Sequence, residues 1–248
     1  MSAAPEARTV VRRDHAVIAP ETHVVGPVLG WTGSAHVTLI APAMGARFAM
    51  SLVRMEPGAV AGPPHAGAGR AVYVLEGGLT VTAEGLDHGL RAGTLAYLPP
   101  DGLHGLRSDA GARILVIDKP FTGSPGAARG RLVVTDGTAV TPAPMLGDPA
   151  LRVTTLIPEG PELDLAVNLM TFDPGAALPF TETHVMEHGL LVLEGSLVYR
   201  LGDDWHPVRA GDAIWMGPFC PQWCCAYGPG PATYLIYKDW NRDPMVVA

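Results

Sequence analysis

Short runs of alternating apolar and polar positions recur along the chain: AVYVLEG at 71–77, GLTVTAEG at 78–85, ARILVID at 112–118, LLVLEG at 190–195, SLVYRLGD at 196–203 and TYLIYKD at 233–239. A period of two puts successive side chains on opposite faces, as in a strand. Gly, Pro and Asp separate the runs at short intervals, the spacing of turns in a sandwich or barrel. No convincing stretch carries the 3.6-residue period of a long amphipathic helix. The pattern predicts an all-β chain.

The runs also repeat as a set. MEPGAVAGPPHAGAGRAVYVLEG at 55–77 matches FDPGAALPFTETHVMEHGLLVLEG at 172–195, from a Pro-Gly turn to a terminal Leu-Glu-Gly. RAGTLAYLPPDGLH at 91–104 matches RAGDAIWMGPFCPQ at 209–222, and LVIDK at 115–119 matches YLIYK at 234–238. The last match places Lys119 opposite Lys238. Two duplicated units follow, expected at 1–124 and 125–248, with TGSPGAARG at 122–130 as the connection.

Composition narrows the function. The 30 Gly and 24 Pro are mostly turn punctuation, with a coding bias behind the two lysines among 17 basic residues. A net charge of -7 argues against a nucleic-acid partner. No apolar run is long enough for a membrane helix, and the first residues lack the apolar core of a secretory signal. Three crowded cysteines, Cys220, Cys224 and Cys225, fit a reducing compartment better than a disulfide framework. A cytoplasmic protein is expected.

The second unit holds the candidate chemistry. Glu182 and His184 share a face if that segment is extended, and His188 shares it if the strand continues. Gln222 ends a separate strand–turn segment. A carboxylate, two imidazoles and an amide make a mixed N/O donor set suited to Mn2+ or Fe2+; taken alone, the same pattern also fits an exposed polar turn. Tyr234 and Lys238 alternate on one face, and a lysine lining a barrel needs an anionic partner. Tyr199 could point inward too. Trp205, Trp215, Trp223 and Trp240 read as barrel core, His206 as solvated in a turn, and Asp203 and Asp204 as turn residues.

Gly175, Glu182, His184, His188 and Gly195, followed by Gly211 and Gln222, resemble the two cupin motifs, with Glu and Gln where His is usual. The tandem arrangement resembles a bicupin of two jelly-roll barrels. ETHVMEHGLLVLEGSLVYRLGDDWHPVRAGDAIWMGPFCPQW and YLIYKDWNRDP are similar to the (S)-ureidoglycine aminohydrolase family, as are APETHVVGPVLGW and LIAPAMGARFAMSLVRMEPG near the start. The resemblance implies Mn2+ on Glu182, His184, His188 and Gln222. It implies substrate contacts from Tyr199, Tyr234 and Lys238, with Glu182 and Lys238 in catalytic roles. It further implies release of ammonia from (S)-ureidoglycine to give (S)-ureidoglycolate in allantoin breakdown. The first unit departs from the motif: His65 and His104 stand at the Glu182 and Gln222 positions, and Gly67 and Arg70 replace both histidines. It is therefore expected to hold no metal, with its two histidines as satisfied polar residues. An Fe2+ dioxygenase acting on a small organic acid and a metabolite-binding bicupin without activity are the rival readings. A homo-oligomer is expected from exposed strand edges.

Overall fold

The structure is a computed structural model that describes residues 7–100, 102, 104–122, 130–160 and 162–240. Among these the helical segments are two short 3-10 turns, Pro20–Thr22 and Pro42–Met44; the remainder is strand and loop. The chain is all-β, as its alternation predicts.

A nine-stranded antiparallel sheet forms most of the first barrel. Its spine is Thr94–Leu98, Ala68–Ala83, Ala112–Pro120, Ala49–Ala61 and Thr32–Ile40. The second barrel closes between two sheets. One carries Ala213–Met216, His188–Glu194, Ala232–Lys238, Ala166–Phe172 and Asp148–Ile157, and the other carries Asp204–Arg209, Ser196–Leu201 and Gln222–Ala226. Each barrel has its own apolar filling: Val53, Val72, Val74 and Ile114 in the first, Leu190, Tyr199, Tyr234 and Ile236 in the second. A third core lies between them and draws on both halves, with Phe48, Leu115, Ile117, Leu191, Trp215, Leu235 and Tyr237. The central strands are thus buried on both faces, which is why their sequences read as near-continuous apolar runs.

Strand pairing crosses the expected 124/125 boundary, which itself lies outside the described residues, as does most of the 122–130 connection. His15–Ile18 pairs with Ala213–Met216 in the second barrel's sheet. Val133–Asp136 pairs with Thr94–Leu98 in the first.

The register also corrects the lysine match. Arg70 pairs with Asp118 in the first unit, and His188 pairs with Lys238 in the second. Lys238 therefore corresponds to Asp118, and Lys119 to Asp239. Lys119 points away from its own barrel into the contact between barrels, where it is ion-paired with Asp164 and lies 3.6 Å from Asp239.

Candidate active site

The site lies at one end of the second barrel, between its two sheets. Glu182 is not part of a continuous strand. It makes an isolated bridge to Gln222, with Glu182 N donating to Gln222 O at 2.8 Å and Gln222 N donating back at 2.9 Å. Residues 183–187 form a loop, so strand parity does not carry His184 or His188 into place. His188 opens the strand His188–Glu194 and Gln222 opens Gln222–Ala226 in the facing sheet. The bridge and the two strand starts fix these side chains against one cavity of about 130 Å³.

The geometry within it suits a cation. His184 Nδ1 lies 3.1 Å from the Met186 carbonyl, which can only accept, so Nδ1 carries the proton and Nε2 offers a lone pair. His188 Nε2 is 3.3 Å from His184 Nε2, Gln222 Nε2 is 3.1 Å from it, and a Glu182 oxygen is 4.0 Å away. Half a turn about the last Gln222 torsion presents its amide oxygen there instead. Burial pushes His188 down to about 3, with His184 and Lys238 adding to the effect, so its imidazole is neutral at any working pH. The His184 Nε2 lone pair and a second, neutral imidazole, crowded beside a carboxylate and an amide, are a donor set that fits a divalent metal, with the His184–carbonyl bond orienting one ligand.

The walls complete the cavity. Tyr199 and Tyr234 are fully buried with ring centroids 6.2 Å apart, and burial holds both phenols well above their usual range. Lys238 points inward from the same face as Tyr234 and Ile236. It is about one-quarter exposed, not sealed in; its Nζ lies 3.9 Å from Glu159 and, with the Asn168 amide turned, 3.2 Å from Asn168 Oδ1. Lys238, Met145 and Met170 also line an adjoining, more open cavity of about 340 Å³, so the ammonium stands at the junction of the two.

The cupin domain family matches residues 51–118 and 168–237. The (S)-ureidoglycine aminohydrolase of Arabidopsis thaliana is 39% identical over 241 residues, 96% of this chain and 80% of its own. The chain belongs to the (S)-ureidoglycine aminohydrolase family. The Escherichia coli aminohydrolase is 29% identical over 95% of this chain and 92% of its own. The crystal structure of a Pseudomonas aeruginosa protein described as glyoxylate induced superposes with a TM-score of 0.88, at 32% identity, over 100% of this chain and 96% of that one.

In this aminohydrolase-family chain the first barrel holds an ion pair at two of the matching positions. Arg70, at the His188 position, donates to Asp118, at the Lys238 position, through Nε at 2.7 Å and Nη2 at 2.8 Å. Its Nη1 donates to Gly62 O at 2.8 Å, and Trp31 covers the guanidinium at 5.2 Å. His65 is exposed. His104 is half-buried, with the Gly102 backbone beside its ring.

Other expectations also change. Trp215 is core between the barrels, but Trp205 is 56% exposed and packs edge-on to Trp223. His206 is half-buried in a strand, not solvated in a turn. Cys224 lies beside Tyr199 and Tyr234, and burial pushes its thiol up to about 12. The sequence reading missed Glu187, which is wholly buried. Its carboxylate accepts from Trp215 Nε1 at 2.7 Å and from the Arg47 backbone N–H at 3.1 and 3.2 Å, tying the loop of residues 183–187 to the first barrel. An acid between two candidate ligands was the available signal. Asn168 was missed as well, although it shares the inward parity of Met170 and Phe172 on its strand.

Proposed function

We propose that the chain hydrolyses (S)-ureidoglycine to (S)-ureidoglycolate and ammonia in allantoin catabolism, with Mn2+ held by Glu182, His184, His188 and Gln222. The observation that carries this reading is the single cavity onto which those four side chains, Tyr199, Tyr234 and Lys238 all open. Kinship with aminohydrolases over nearly the full chain supports the substrate. We assign the second barrel, within 125–248, as the catalytic unit and 1–124 as the unit whose own barrel lacks the cupin metal set. A cytoplasmic homo-oligomer is part of the proposal, the oligomer supported by the exposed apolar side chains Val24, Val25 and Leu29.

The substrate carries a carboxylate, an amine and a ureido group on one carbon. Lys238 binds the carboxylate, reached through the outer cavity. Tyr199 and Tyr234 keep their protons because burial raises both phenols, so they donate to the ureido oxygen. A bound divalent ion supplies Lewis-acid polarisation and lowers the pKa of a water. Glu182 takes a proton from the attacking water and returns one to the departing nitrogen. A C–O bond forms, the C–N bond breaks, and nitrogen leaves as ammonia. The buried tyrosines and the methionine and leucine walls exclude bulk water from that exchange.

Ammonia release from freshly made ureidoglycine tests the reading, with the chirality of the product followed alongside. Glu182→Ala should lower kcat by about 10²–10⁴, the usual worth of a positioned acid–base group. Lys238→Met should raise KM by roughly tenfold to a hundredfold, the loss of one charge-assisted bond. Full activity in metal-stripped protein or in Glu182→Ala would overturn the mechanism. Oxygen consumption with a small organic acid would point to the dioxygenase instead.

A further inference from the structure

Outside that cavity, a second group of potential ligands joins the exchanged N-terminal strand to the second barrel. His15 lies on His15–Ile18, and Asp204 and His206 lie two apart on Asp204–Arg209, so the latter share a face. One ligand atom from each of the three sits within 4.8 Å of the other two. His15 Nε2 is 3.9 Å from Asp204 Oδ2, and the two imidazole rings meet edge-on with centroids 5.6 Å apart.

Two further observations point to a ligand. The His15 side chain is only 5% exposed, and His15 Nε2 and His206 Nε2 are both buried without a hydrogen-bond partner. Unpartnered buried polar atoms are costly and call for an explanation. His15 Nδ1 lies 3.0 Å from Asp14 Oδ1, which can only accept a hydrogen bond, so Nδ1 carries the proton and the Nε2 lone pair faces Asp204. That is the carboxylate–histidine arrangement that orients a metal-bound imidazole. Asp204 is about half exposed, and its Oδ2, the oxygen nearest His15 Nε2, also accepts from Arg12 Nε at 3.2 Å, so a bound ion shares that oxygen with the guanidinium or takes it over.

We propose that His15, Asp204 and His206 form a second metal site, for a divalent transition ion of the zinc, cobalt or nickel type. Two imidazoles and one carboxylate suit such ions, whereas magnesium and calcium favour all-oxygen shells. Bonds of about 2.0–2.2 Å require the donor separations to shrink by roughly 0.5–1.5 Å, and solvent supplies the remaining positions. The ion would pin the exchanged strand to the barrel that it completes, a structural role separate from catalysis. The site does not depend on the catalytic proposal.

Cobalt binding to the full-length protein, counted by equilibrium dialysis and followed by its visible absorption, tests the assignment. His206→Asn and Asp204→Asn, both at partly exposed positions, should each bind one equivalent less than wild type, whatever the first cavity binds. Wild type should also gain Tm on adding Co2+ by more than either variant does. Unchanged stoichiometry and spectrum in both variants would overturn the site. So would a near-ultraviolet sulfur-to-cobalt band that vanishes in Cys220→Ser, because Asp14, His15 and Cys220 form the competing group.

Discussion

Cys220 and Cys224 are buried around the second barrel's filling, and burial pushes their thiols up to about 11 and about 12. Cys225, next in sequence, alternates to the outer face and is partly exposed. Only the thiolate is nucleophilic, so at pH 8 a thiol of pKa 11 is reactive in about 0.1% of molecules. Iodoacetamide at pH 8 should therefore label Cys225 alone in the folded protein. Labelling of Cys220 and Cys224 should increase only as pH rises towards those raised values or as the chain unfolds. Peptide mass spectrometry reads the three sites separately, and Cys224 labelled as fast as Cys225 would contradict this account. The same inside–outside alternation makes Tyr234 and Lys238 legible from sequence. Glu182 and His184 are harder to read, because a loop, not a strand period, brings them together. Their spacing resembles a known motif, but the mutual hydrogen bonds of Glu182 and Gln222 that build it join positions forty apart.

At the level of elements, the repeated Leu-Glu-Gly turn has a steric cause. Gly77 and Gly195 both adopt left-handed φ, +75° and +73°. A Cβ at either would stand 2.3 Å from a backbone carbonyl oxygen, that of Gly111 in the first unit and Pro231 in the second. Backbone cannot yield as a flexible side chain can, so both halves retain glycine there. Gly195→Ala should destabilise the protein by about 1–3 kcal/mol from overpacking, with left-handed strain added. Urea denaturation checks it, and an unchanged midpoint would refute the clash. Such turns, and the strands between them, are legible because local chemistry dictates them. Register is less so: LVIDK and YLIYK look alike with Lys on Lys, yet pairing aligns Asp118 with Lys238. A slip of one residue turns every side chain to the opposite face. Here it decides whether a lysine meets the cavity or the neighbouring barrel. The runs AIWM and LLVL hide their parity for a related reason, being buried on both faces.

Across the whole molecule, the barrel without a candidate metal set is a structural partner of the one that has it. It covers Leu191, Trp215, Leu235 and Tyr237, which would otherwise form a large exposed apolar face. Arg47 donates its backbone N–H to Glu187, one residue before His188, and His15–Ile18 supplies a strand to the second barrel's sheet. Lys119 from the first unit meets Asp164 and Asp239 in the contact layer, where removing one partner of a buried pair typically costs about 3–5 kcal/mol. Duplication alone predicts two independent units; exchanged strands and a shared core argue that they fold as one. Residues 130–248 expressed alone should accordingly fail to form a stable monomer. They should show lost near-ultraviolet circular dichroism and no ureidoglycine hydrolysis, although every candidate ligand of the cavity is present. Co-expression with residues 1–129 should restore both signals, because the missing strand, the Arg47 N–H and the apolar cover all come from that half. A well-folded, active fragment of residues 130–248 would mean that the first barrel contributes nothing the second needs.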